Sequence, residues 1–344
     1  MNRITRIALA AGIALAFVTG CTATPSPTPT PTPPPAAEEI PPADPTTVRI
    51  ASLRGPTTMG LVGLMAEADA GEATHDYQVS MYGTADEVVP LLVQGEVDAA
   101  LIPANLAAVL HNRTLTDDGA QIQVAAINTL GVLEIVETGE EITSIADLAG
   151  RTIYSTGKGT TPEFVLNHLL TANGLDPATD VTIEYRSEAT EVAALLESRP
   201  DAVGVLPQPY ITVLKTQNPE VRTALSFTDE WAAVNPDSAL VTGVVVVRTE
   251  FAQENPGVLA DFLADYRAST EFTNGEPGAA AELIAEAGIV PAAPVAEAAI
   301  PSCNITYVDG EQMQAMLSGY LQVLFDADPA AVGGTMPGDD FYLG

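Results

Sequence analysis

The sequence predicts an α/β protein built as two similar lobes, and three observations carry that prediction. Strand-like and helix-like segments alternate from Val48 onward, the pattern of parallel sheets with helical crossovers. Three blocks recur in the same order. VRIASLRGPTTMG, around Thr57 and Thr58, matches RTIYSTGKGTTPE, around Thr160 and Thr161, at an offset of 103 positions. DAALIPANLAAVL from Asp98 matches DAVGVLPQPYITVL from Asp201 at the same offset, and EVVPLLVQGEVDA from Glu87 matches EVAALLESRPDA from Glu191 with one residue lost. Ordered repetition suggests two units of one build, against chance similarity in an Ala/Val/Leu-rich chain. Finally, two strand-like runs, from Gln121 and from Ser238, are candidates to carry the chain between the lobes.

The elements follow in order. VRIASL reads as a buried strand, GPTTMG as a turn and MGLVGLMAEADAG as a helix. YQVSMYG alternates as a second strand. TADEVVPLLVQGE opens on Thr84 with Glu87 three residues on, a capping-box pattern for a helix start. DAALIP is a third strand and NLAAVLHNR a third helix. QIQVAAINTLGVLEIVE is long and strand-like. ITSIADLAG reads as a short helix after Ser144, and the strand–turn–helix units then repeat, now with Gly-Lys-Gly in the first turn. Trp231 reads as core, or as a residue near the ligand if it lies at the cleft. SALVTGVVVV is the most strand-like run in the chain, and Pro256 opens a long surface helix.

Composition narrows the function. The chain has 344 residues, enough for two domains, and 47% of them are hydrophobic. Forty-five acidic residues against 13 basic ones give a formal net charge of −32. Such a field repels nucleic acid and anionic membrane surfaces, so neither is expected as a primary ligand. The two cysteines do not form a framework: Cys21 closes a leader and Cys303 is then a lone thiol, read as a small buried hydrophobe. His75, His111 and His168 are scattered, with no Ser-His-Asp order and no zinc motif. Neither a metal nor a cofactor is expected.

Residues 1–20 read as a targeting segment. Arg3 and Arg6 precede an apolar run from Ile7 to Val18, too short to span a bilayer. Val18-Thr19-Gly20-Cys21 then resembles a bacterial lipobox, which implies cleavage before Cys21 and lipidation of its sulfur. Residues 21–47 are Thr/Pro-rich, a composition that favours polyproline II and forms no core. At about 3.1 Å per residue it would be a spacer of up to roughly 80 Å. The expected location is extracytoplasmic, lipid-anchored to the cell membrane.

With leader, spacer, paired lobes and two crossings, the chain resembles the solute-binding lipoproteins of ABC importers. More narrowly it is similar to the nitrate/sulfonate/taurine group, which includes thiamine-pyrimidine-precursor binders. The residues that carry this are VRIASLRGPTTMG, ITSIADLAGRTIYSTGKGTTPEFVLNHLL, DAVGVLPQP, RTEFAQENPGVLADFL and VGGTMPGDDFYLG. The resemblance covers 48–344 and is not specific to a ligand. It implies a periplasmic-binding-protein-like fold of type II, with two open α/β lobes and a cleft between them. It also implies a discontinuous lobe 1 (48–130 plus 248–344) around lobe 2 (131–247). The implied partners are a small-molecule ligand, an ABC permease and its ATPase, with the protein acting as a monomer. A ligand sensor docking on a signalling partner is an alternative, as is a menaquinone-pathway-type enzyme on the same fold.

In open α/β sheets, ligands sit past the carboxyl ends of strands, where helix starts offer free N–H groups. That selects Arg54, Thr57 and Thr58 after the first strand, and Asn105 after the third. Lys158, Thr160, Thr161, Gln208 and Tyr210 are their counterparts in the second lobe. Arg54 and Lys158 stand out because basic residues are scarce; either they meet an anionic ligand or they are solvated loop charges. The threonines either cap helices or bind ligand. Asn105 either reads the ligand or caps its helix, and Gln208 and Tyr210 flank a proline that could simply set the turn. GKGTT lacks the spacing of a nucleotide P-loop.

Overall fold

The computed structural model describes residues 45–116, 119–199 and 201–344. The expected leader, Cys21 and all but the last three residues of the spacer lie outside the described residues.

The first half is the predicted strand–helix alternation. It runs β1 (Thr47–Leu53), α1 (Pro56–Met59), α2 (Val62–Ala70), β2 (Asp76–Tyr82), α3 (Ala85–Gln94), β3 (Ala99–Pro103) and α4 (Ala104–Thr114). Val48, Ile50 and Ala51 of β1 are all fully buried, as expected of a strand covered on both faces. The Thr84–Glu87 capping box is present, with the Thr84 N–H donating to the Glu87 carboxylate at 3.0 Å. Asp98, at the head of the doubled motif, is buried and binds Arg49 through the backbone N–H at 2.9 Å and the guanidinium at 2.7 Å.

The run from Gln121 is two strands, not one. β4 (Ile122–Leu130) belongs to the first sheet and β5 (Leu133–Glu137) to the second, so the chain crosses at Gly131–Val132. A Cβ on Gly131 would lie 2.1 Å from the Thr228 hydroxyl and 3.0 Å from Leu240, so the close approach of the two connections requires glycine here. After a 3-10 turn at Ile145–Leu148, itself opened by a Ser144–Asp147 capping box, the repeat begins. It comprises β6 (Thr152–Ser155), α5 (Thr161–Ala172), β7 (Thr182–Tyr185), α6 (Ala189–Ser198), β8 (Val203–Pro207) and α7 (Tyr210–Gln217). β9 (Arg222–Ser226) and α8 (Phe227–Val234) complete the second lobe.

The return strand β10 (Val241–Arg248) pairs with β3 and β4, both in the first sheet. Residues 131–247 were expected to form lobe 2, but β10 lies almost wholly inside that range and all its ladder bonds go to the other sheet. The physical reason is its run of valines. Val244 to Val247 are fully buried, and only the interior of a sheet covers both faces of such a run. The second crossing is therefore the segment 235–240. The chain ends with α9 (Thr249–Glu254), α10 (Pro256–Gly275), α11 (Pro277–Glu286), α12 (Ala293–Ala299), β11 (Ile305–Val308) and α13 (Gly310–Ala327).

The six-stranded sheet has the order β11-β4-β10-β3-β1-β2 and the five-stranded one β7-β6-β8-β5-β9. The parallel triplets β2-β1-β3 and β7-β6-β8 occupy equivalent places, each bordered by an antiparallel strand, β10 or β5. The three sequence repeats fall on these triplets and their helices. Each antiparallel strand is the first to enter its sheet after a crossing.

Trp231 is core. It is buried in α8, donates to the Ser238 carbonyl at 3.1 Å and packs on the Tyr320 ring of α13 at 5.4 Å. Cys303 is fully buried, 3.7 Å from the Met59 sulfur, and burial pushes its thiol up to about 12. It packs as an unreactive apolar group. Among the described residues no cluster of three or more His, Cys, Asp or Glu side chains is placed to hold a metal, and no helix is long and apolar enough to cross a membrane.

Candidate functional site

Both parallel triplets present the carboxyl ends of their strands to a cavity of about 480 Å³. Every strand-to-helix turn of the two triplets contributes to its wall. From the first lobe come Leu53 to Thr57 without Gly55, Gly83 to Asp86, and Pro103. From the second come the 156–162 turn without Gly159, Arg186 to Ala189, Pro207 and Tyr210. Val132 of the first crossing, Leu133 of β5 and Thr242 of β10 close the floor.

Six of the nine residues selected from sequence are brought together here: Arg54, Thr57, Lys158, Thr160, Thr161 and Tyr210. Thr57 donates to the Leu53 carbonyl at 2.7 Å, and Thr160 to the Gly157 carbonyl at 2.8 Å, so both hydroxyls also shape their turns. Tyr210 reaches across the cleft, its hydroxyl 3.4 Å from the Arg54 carbonyl and its ring over Gly55. Gly55 has φ 137°, a conformation that only glycine adopts without strain. Burial pushes the Tyr210 phenol up, opposed by the charge of Arg54 and reinforced by that of Glu188. It stays a neutral hydrogen-bond donor.

The other three lie behind the wall. Thr58 is fully buried and bonds the Ser52 hydroxyl at 2.8 Å and the Leu53 carbonyl at 2.6 Å. Asn105 is fully buried; its amide donates to the Ala331 carbonyl at 3.1 Å and accepts from Thr161 at 3.2 Å. Its helix starts one residue earlier, and the turn per residue of a helix swings its side chain away from the strand end. Gln208 accepts from the Thr212 hydroxyl at 2.8 Å and backbone N–H at 3.3 Å, across the first turn of α7; its bond to Pro209 is cis.

Sequence reasoning missed the second turn of each triplet. Arg186 lines the cleft, donates to Glu184 at 2.7 Å and lies 5.3 Å from the Tyr154 ring centre. Asp86 and Glu188 line it too, so three cations and two carboxylates share the wall. A signal was available: Tyr82-Gly83-Thr84 and Tyr185-Arg186-Ser187 stand at the same 103-position offset as the other blocks. Thr242 was also missed. Its hydroxyl is buried at the cleft floor with no hydrogen-bond partner.

Chemically, the wall offers charge, hydroxyls and helix starts. Lys158 is exposed, its ammonium 5.9 Å from the Tyr185 ring centre, and neither it nor Arg54 enters an ion pair among the described residues. α3, α5, α6 and α7 all begin at the cavity, with their dipoles' positive ends toward it. No histidine or cysteine lines it.

Two α/β lobes with a cleft at the strand ends define the architecture of periplasmic binding proteins of type II. The comparisons agree. A family model described as NMT1/THI5 like matches residues 122–280. A crystal structure of an ABC transporter protein from Parabacteroides distasonis superposes with a TM-score of 0.68 at 22% identity, covering 87% of this chain and 99% of that one. The periplasmic aliphatic sulphonate binding protein SsuA from Escherichia coli gives 0.65 at 17% identity, covering 87% and 96%. The periplasmic nitrate-binding protein NrtA from Synechocystis PCC 6803 gives 0.63 at 12%, covering 84% of each chain. No curated protein sequence matches the chain. The fold expected from the sequence is thus shared with solved sulphonate- and nitrate-binding proteins.

Proposed function

We propose that the protein is the extracytoplasmic solute-binding component of an ABC importer. It captures a small organic anion between its lobes and hands it to a permease, acting as a monomer held to the membrane by lipid on Cys21. One observation carries this reading. On a chain with 13 basic residues and a net charge of −32, Arg54, Lys158 and Arg186 converge on one cavity walled by helix starts from both sheets. Cations and helix N-termini stabilise a carboxylate, sulfonate or phosphate group there. Asp86 and Glu188 leave room for a donor elsewhere on the same ligand. Closure would turn the lobes about the two crossings.

The reading is tested by thermal melting against a panel of small sulfonates, carboxylates, phosphates and nitrate, with neutral and cationic solutes alongside them. A true ligand at 100-fold over its dissociation constant stabilises the folded state by about 2.7 kcal/mol. A panel in which only cationic or neutral solutes raise the melting temperature would refute the anion assignment.

A further inference from the structure

We propose that Asn105 and Tyr320 are positioning residues that act through Thr161, forming a fixed junction on which the lobes swing and which holds the 157–161 turn of the cleft in place. This rests on the two-lobe binding reading, but its test needs no ligand.

Besides the apolar packing of α7 on α12, the polar inter-lobe contacts fall into two kinds. At the mouth they are exposed: Tyr210 meets the exposed Arg54 through a single 3.4 Å bond, and the exposed Glu188 lies over Gly83. Behind the cleft they are dry and polar. Thr161, the first residue of α5, is fully buried and donates to Asn105 of α4 at 3.2 Å. The Tyr320 hydroxyl of α13 donates to the same Thr161 oxygen at 3.4 Å. Asn105 and Tyr320 are themselves fully buried. The chain of contacts continues: the Tyr320 ring packs on Trp231, whose indole binds Ser238 in the second crossing, and His168 of α5 also packs on Trp231 at 5.2 Å.

Separating the lobes at the mouth exposes groups that water can satisfy. Separating them at Thr161 would strand an amide oxygen and two hydroxyls in apolar surroundings, which is costly. The lobes therefore part at the mouth and turn on the Thr161 junction. Since Thr161 also belongs to the cleft wall, ligand contact at that turn and the pivot share one residue.

The test uses the full chain with Cys21→Ser and spin labels at Asp69→Cys and Glu197→Cys, both exposed and one on each lobe; buried Cys303 does not react. Pulsed electron resonance then reads the distance between lobes. Thr161→Val, Asn105→Leu and the milder Tyr320→Phe should each widen the distance distribution, the first two about twofold. Thr161→Ser, which keeps the hydroxyl, should restore the parental width. Leu170→Ala, buried on α5 but off the junction, should lower the melting temperature yet leave the width unchanged. Junction variants that melt lower with the parental width, or a Thr161→Ser distribution as wide as that of Thr161→Val, would overturn the proposal.

Discussion

Replacing Asp98 with alanine separates what the doubled motif shares from what it does not. Asp98 is 4% exposed and sits just before β3. It accepts the Arg49 backbone N–H at 2.9 Å and that residue's Nε and Nη2 at 3.0 and 2.7 Å, with Arg248 at 3.7 Å. It thereby ties β1, β3 and β10 together. Losing the backbone partner costs about 1–3 kcal/mol. The Arg49 side chain is 42% exposed and can return to water, so its share is discounted to about 0.2–1 kcal/mol. The sum is about 1–4 kcal/mol, read as a melting-temperature drop of about 2–6 °C for a fold of this size. Asp201, the matching residue of the second repeat, is exposed, and its alanine variant should stay within about 0.5 kcal/mol of the parent. Equal losses in the two variants, measured by thermal and urea unfolding, would refute the assignment of Asp98 as a strand tie.

Other outcomes follow from the same structure. Gly131→Ala overpacks the first crossing against Thr228 and Leu240 and should cost about 1–3 kcal/mol in urea unfolding. Alanine at Arg54, Lys158 or Arg186 should each weaken an anionic ligand on the order of tenfold in calorimetry. Unchanged affinity in all three would mean that the ligand's charge does not meet them. Burial lowers the His168 pKa from 6.5, against a smaller opposing bond from Asn235. Its stabilising contribution is complete above 6.5 and is lost as pH falls towards the lower folded value, because the unfolded chain takes the proton first. Between pH 7.5 and 5, the parent should therefore lose more melting temperature than His168→Gln; identical slopes would contradict the burial account.

Much of the fold was legible because it repeats. Matched blocks around Thr57 and Thr160 announced equivalent strand ends, and both turns do face one cavity. The capping box at Thr84 and the short helix after Ser144 were readable because a helix start is a local event of four residues. What resisted reading was set by distant packing. Whether the Gln121 run was one strand or two depended on Thr228 and Leu240, which crowd Gly131. Asp98 and Asp201 look alike in sequence, yet only the first has an Arg49 opposite it. Asn105 and Gln208 sit at strand ends as expected, but helix phase turns one inward and hydrogen bonds from Thr212 engage the other in α7. Arg186 is marked only by the 103-position offset between Tyr82-Gly83-Thr84 and Tyr185-Arg186-Ser187, because its turn carries no glycine or proline.

The central claim, capture of a small anion in the cleft, is met most directly by native mass spectrometry of the protein purified without denaturant. The account predicts a bound species of small-molecule mass that is released on unfolding, and that is absent or diminished in the Lys158→Ala, Arg186→Ala double variant. A chain that carries no small molecule, binds none of the anion panel and instead turns over a substrate would contradict it.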